Sequence, residues 1–112
     1  MQVHHLQLAA KPFNAIQSGR KTIECRLYDQ KRQAIQLGDE LVFTNREDAA
    51  QTVRVKVTGL LRYASFADLF AGAAPEAFGG ESTEGLLEQI RQFYPEAEEA
   101  QHGVLGIVIA LA

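Results

Sequence analysis

Val53-Arg54-Val55-Lys56-Val57-Thr58-Gly59-Leu60-Leu61-Arg62 carries the clearest period of two in the chain. Side chains alternate across a strand, so Val53, Val55, Val57, Gly59 and Leu61 share one face while Arg54, Lys56, Thr58 and Arg62 fall mostly on the other. This stretch reads as a long, half-buried strand. Working back from it, 45–51 is a polar connection, and Glu40 to Thr44 is a strand entered through a Gly38-Asp39 turn. Asp29 to Gln33 is polar and reads as a loop. Thr22 to Tyr28 alternates, with Ile23, Cys25 and Leu27 inward against Thr22, Glu24, Arg26 and Tyr28. Pro12 near the start and Gly19 just past the end frame a short helix whose Phe13 and Ile16 are buried. Val3 to Leu8 opens the chain as a candidate edge strand.

Beyond Tyr63 the pattern turns helical. Ser65 is a candidate N-cap before Phe66, Leu69 and Phe70. A Gly/Ala/Pro stretch over 71–80 is the candidate mobile lid. Ser82 or Thr83 caps a helix bearing Leu86, Leu87, Ile90, Phe93 and Tyr94, which Pro95 ends. The stretch 96–101 is acidic and expected to be exposed, and Gly103 to Leu111 is apolar enough for a central strand. Five to six strands with about three short helices make an α+β protein built on a mixed β-barrel, one domain over residues 1–112.

Composition bounds the function. Hydrophobic residues at 46% and charged residues at 22% are ordinary for a globular chain. Val104 to Ala112 is too short to cross a membrane, and polar residues break any signal-peptide core after Met1, so a cytoplasmic protein without a membrane partner is expected. A single cysteine forms no internal disulfide, and the three histidines lack zinc-ligand spacing, so no metal or other cofactor is expected. A monomer is expected. Residues 1–62 carry ten Lys/Arg against six Asp/Glu, whereas 63–112 carry one against eight, so a +4 half meets a −7 half. A polyanion would be steered to the first half.

Gly19-Arg20-Lys21-Thr22-Ile23-Glu24-Cys25-Arg26 concentrates the chemistry. A glycine turn delivers Arg20 and Lys21 to the mouth of a strand on which Glu24 and Arg26 project together. Such a carboxylate stays ionised and accepts from a base edge or amide, while Lys21 and Arg26 hold a phosphate or developing oxyanion. The same pair is also what a solvated sheet face carries, where it adds about 0–1 kcal/mol. Arg54, Lys56 and Arg62 extend the basic face, with Tyr28 and Tyr63 as candidate stacking platforms, and Lys31 and Arg32 add loop charge. Glu81 and Glu84 are candidate second carboxylates as well as ordinary helix-start acids. Cys25 reads as a small buried residue. None of His4, His5 or His102 is given a catalytic role.

The segment resembles the signature of ASCH domains, G-x-K-x-x-E-x-R, here Gly19, Lys21, Glu24 and Arg26. The likeness continues through Leu27-Tyr28-Asp29 with Lys31-Arg32, Gly38-Asp39 before Leu41-Val42-Phe43, Ser65-Phe66 with Leu69-Phe70, and Gly103-Val104-Leu105-Gly106-Ile107. It implies a PUA-like barrel with a positively charged cleft and RNA-linked roles. The acetylcytidine amidohydrolase branch has a similar Gly-Arg-Lys-Thr-Ile segment and uses its lysine, a threonine three positions on, and a later glutamate. Lys21 matches the lysine, but Glu24 stands at the threonine position, and a carboxylate does not replace an alkoxide nucleophile. Thr22 is displaced toward the turn.

Two readings follow. One is a module binding RNA or a modified nucleotide or nucleoside through Arg20, Lys21, Glu24, Arg26, Tyr28, Arg54, Lys56 and Tyr63. The other is a small hydrolase, a ribonuclease or nucleoside amidohydrolase, with Glu24 as general base and Lys21 stabilising the oxyanion.

Overall fold

The computed structural model describes all of residues 1–112. Its strands are β1 (Val3–Leu8), β2 (Ile23–Leu27), β3 (Glu40–Asn45), β4 (Asp48–Tyr63) and β5 (Val104–Leu111). They form one sheet in the order β1-β3-β4-β5-β2, with β1 parallel to β3 and the other neighbours antiparallel. The sheet curls into a half-barrel whose open seam lies between its edges, β1 and β2. As its apolar run predicts, β5 is interior.

The long alternating stretch is not uniform. A bulge between Val57 and Gly59 sets one extra residue, Thr58, against β5. One extra residue exchanges the faces of everything after it. Val55 and Val57 therefore join a core with Leu41, Phe43, Ile107 and Ile109, and Leu60 continues that face. Leu61 instead joins a second core with Ile23, Phe66, Leu69 and Val104. The expected sharing of a face by Leu61 and Val57 fails for this reason, and so does that of Arg62 with Arg54 and Lys56. Phe13 and Phe43 are fully buried in the first core and Phe66 in the second. Each such ring contributes roughly 1.5–3 kcal/mol.

Five α-helices and one 3-10 turn surround the sheet: α1 (Ala10–Gln17), α2 (Gln30–Gln33), α3 (Phe66–Ala71), the turn Pro75–Phe78, α4 (Thr83–Arg91) and α5 (Glu96–His102). Two of these helices replace expected loops. Asp29 accepts from the Arg32 amide at 3.1 Å and so caps α2. Pro95, expected only as a stop, is the N-cap of α5, where Glu99 is buried rather than exposed. Its carboxylate accepts from the Phe66 amide at the start of α3 and pairs with Arg91 at 2.6 Å. Ser65 and Ser82 cap α3 and α4 as their positions predict. The 45–51 connection shrinks to a turn at Arg46-Glu47, because Asp48 already pairs with Asn45. The candidate lid is docked: the Thr22 amide donates to the Ala77 carbonyl at 2.8 Å, and Phe78 packs edge-on against Phe70 with centroids 5.0 Å apart.

Candidate functional site: a cationic cleft at the sheet seam

Gly19, at φ +82°, takes a left-handed conformation that glycine adopts without strain, and so ends α1 and turns the chain into β2. Lys21 enters beneath the 3-10 turn, where Gly79 leaves so little room that a Cβ would stand 3.1 Å from the lysine stem. The Lys21 ammonium donates to Glu24 Oε1 at 2.7 Å, and Arg26 Nε donates to Glu24 Oε2 at 2.9 Å. Arg26 also donates to the Gln7 carbonyl at 3.0 Å, bridging the seam from β2 to β1. Glu24 is 3% exposed and Lys21 9%, so this is a buried ion triad and not a solvated pair.

Burial by itself would raise the Glu24 pKa. The charges of Lys21 and Arg26, with their hydrogen bonds, outweigh burial and hold the carboxyl at about 2. Burial also works against the Arg26 cation, yet Glu24 and the Tyr94 hydroxyl carry its pKa above the ordinary value. Burial, aided by the Glu24 charge, pushes the Cys25 thiol up to about 12. Its side chain leaves the opposite face of β2 from Glu24 and Arg26, packs against the second core and is half-buried at the wall of the same cleft as the triad. Native Cys25 is therefore expected to react with a disulfide reagent at neutral pH about thirtyfold more slowly than in the urea-unfolded chain, the scarcity of its thiolate being partly offset by that thiolate's greater nucleophilicity. A ratio under about tenfold would mean that the thiolate forms readily in the fold.

Above the triad opens a cleft of about 330 Å³, within the size of small-molecule sites. Its lining brings Lys11 and Arg46 to join Lys21 and Arg26, four cations against the single carboxylate of Glu24. Neither Lys11 nor Arg46 has a carboxylate partner. Arg46 stands there because its amide donates to the Leu8 carbonyl at 2.7 Å, fastening the β3–β4 turn to the end of β1. Glu47, next in that turn, accepts from the Ala10 amide at 3.0 Å and fixes the start of α1 beside Lys11. From the acidic half the cleft receives only neutral groups, among them Gln89, Gln92, Phe93 and Tyr94. Phe93, expected in the buried stripe of α4, is 61% exposed at this rim.

The other expected site residues lie elsewhere. Arg20 is exposed and donates to the Ser18 hydroxyl. Arg54 and Lys56 sit on the outer face of β4, with Arg54 3.3 Å from Glu40. Tyr28, Arg62, Tyr63 and His102 meet in a separate hollow. Arg32 pairs with Asp29, Lys31 is exposed, and Thr22, Glu81 and Glu84 are exposed outside the cleft. Lys11 and Arg46 escaped sequence reasoning. They are 35 positions apart in polar surroundings and meet only through the β1–β3 pairing.

A curled mixed sheet of this order, with α1 packed on the first core, α3 and α4 on the second, and a cationic cleft at its seam, is an α+β fold of the PUA-like class. The ASCH domain model matches residues 6–111, and the chain belongs to the ASCH domain family. It is 33% identical to the hypothetical protein PH0355 over 100% of both chains, with a TM-score of 0.87. It is 30% identical to protein PF0455 from Pyrococcus furiosus, over 99% of this chain and 97% of that one, with a TM-score of 0.76. ASCH from Zymomonas mobilis matches at 16% identity over 96% of this chain and 66% of its own, with a TM-score of 0.70, a likeness of fold alone. No curated protein matches the chain. No helix is long and apolar enough to cross a membrane.

Proposed function

We propose that this protein binds RNA and that the cleft between β1 and β2 receives one nucleotide of a single strand. The observation that carries this reading is the lining: four cations and one carboxylate in a protein of net charge −3. Lys21 spends one of its three N–H donors on Glu24, leaving the others for phosphate or a base edge. Lys11 and Arg46 at the rim supply phosphate contacts, and the exposed Phe93 ring offers a stacking face. Glu24 serves to fix two cations. A carboxyl held at about 2 with both oxygens occupied is a weak base near neutral pH, which favours binding over hydrolysis.

Fluorescence anisotropy with a short labelled oligouridylate, titrated at several salt concentrations, tests the reading. Lys11→Ala and Arg46→Ala are each expected to weaken binding and to reduce the slope of log K against log salt by about 0.7. Arg54→Ala and Lys56→Ala, outside the cleft, are expected to change neither. Equal effects from both pairs would point to diffuse attraction to the basic half and sink the assignment to the cleft.

A further inference from the structure

The Lys21–Glu24–Arg26 group holds two cations against one carboxylate, and it does so largely out of water: Glu24 is 3% exposed, Lys21 9% and the Arg26 side chain 11%. A buried surplus charge is costly, and an anion brought to it relieves that cost. We propose that the floor of the cleft is a pocket for a terminal phosphomonoester, so that the protein takes RNA by a phosphorylated end and not along its interior. This deepens the reading that the cleft receives RNA, and rests on it.

Charge selects an end. The whole lining carries four cations against one carboxylate. A phosphodiester inside a strand brings it a single negative charge, whereas a phosphomonoester brings about −1.5 to −2 near neutral pH, with three acceptor oxygens. Donors are ready on the floor. Lys21 gives one of its three N–H bonds to Glu24 and none to any other protein group. Arg26 is held in plane by Glu24, the Gln7 carbonyl and the Tyr94 hydroxyl, so little of its freedom is left to lose on binding.

Shape selects an end as well. On one flank the 3-10 turn closes over the lysine: a Cβ on Gly79 would stand 3.1 Å from its stem, and the Thr22 amide fastens the turn at 2.8 Å to the Ala77 carbonyl. On the other flank Arg26 donates at 3.0 Å to Gln7 across the seam. A chain that reaches the triad therefore ends there or turns back. Lys11 and Arg46, at the rim, are left for the phosphodiester that follows the end nucleotide, and Leu86, Ile90 and Phe93 on one face of α4 form the wall for its base.

Calorimetric titration with a uridine trinucleotide bearing free hydroxyl ends, and with the same trinucleotide carrying a 5′ or a 3′ phosphate, tests this. One phosphorylated form is expected to bind about tenfold more tightly than the bare trinucleotide at about pH 7.5, and the other no more than about twofold, since floor and rim engage the end in one direction. The second ionisation of a phosphomonoester lies at about 6, so protonation should remove most of that gain by about pH 5. The cleft itself does not titrate across this window. Glu24 is held at about 2, Cys25 is pushed up to about 12, and the other ionisable groups of the lining are Lys, Arg and Tyr, with no histidine. Lys21→Met, which leaves Glu24 balanced by Arg26, should abolish the gain, and the pH comparison on the unmodified protein stands whether or not that variant folds. No gain from either phosphate, equal gains from both, a gain undiminished at low pH, or a folded Lys21→Met protein that keeps it would each overturn the end pocket and leave the cleft reading in place. Absence of binding to all three ligands would overturn both.

Discussion

Replacing Glu24 with Gln is expected to destabilise the fold by on the order of 3–5 kcal/mol, the usual effect of removing one partner from a buried ion pair. Lys21 and Arg26 would remain in place with no counter-charge, since Glu24 accepts from both and is itself 3% exposed. Urea titration of the two proteins reads the difference, and a loss under about 1 kcal/mol would mean that water reaches the triad and screens it. Replacing all three residues by apolar ones of similar size should recover most of the loss, because the desolvation of the charges disappears together with their attraction.

The same group sets a pH dependence. Glu24 is held at about 2 against an ordinary 4.5, so its contribution is complete above about 4.5 and is lost as pH falls through about 2. Asp39 acts in the same direction. Hydrogen bonds from His4 and from the Gln2 and Gln36 amides hold it at about 2 against 3.8. Stability of the unmodified protein should therefore fall steeply between about pH 5 and 2, and Glu24→Gln should flatten that fall without abolishing it. One consequence bears on any assay of turnover. Loss of activity in Glu24→Gln speaks of catalysis only if the variant is shown to be folded under the conditions used.

Deleting Thr58 is expected to abolish cooperative folding. It is the extra residue of the β4 bulge, and without it either Val55 and Val57 or Leu61 and Tyr63 must turn to the wrong face. Val55 and Val57 are 0% and 1% exposed, and Leu61 packs on the second core, so neither half is free to yield. The lost burial is comparable with the whole stability of a small domain, about 5–15 kcal/mol. Circular dichroism melting would show no sharp transition. A deletion variant that melts cooperatively near the parent would show that the bulge moves freely along the strand. Thr58→Ala is the control, because the side chain is exposed and makes only one hydrogen bond, to the Val108 carbonyl at 3.2 Å.

What could be read from the residues was whatever neighbours in the chain decide. Alternation identified the strands, the Pro12 to Gly19 frame identified α1, and Ser65 and Ser82 marked the helix starts, because caps and faces are set within a few positions. The two missed helices have no apolar stripe. Gln30-Lys31-Arg32-Gln33 is held by its Asp29 cap, and Glu96 to His102, rich in good helix formers, carries no hydrophobic period to detect. Spacing likewise placed Glu24 and Arg26 on one face, but it did not reveal that Lys21 folds back to close on Glu24.

The sequence by itself determined the strands, the alternation of faces within β2 and the uneven charge of the two halves of the chain, since these depend on local period and composition. Tertiary structure alone decided that the Lys21–Glu24–Arg26 group is buried, that Lys11 and Arg46 join it, and that Arg62 leaves the basic strand face to lie on Tyr28. The physical reason is that those contacts depend on sheet register. Whether a turn fastens to the end of β1, or one residue bulges from β4, is settled by pairing between segments distant along the chain, and no short pattern of residues encodes it.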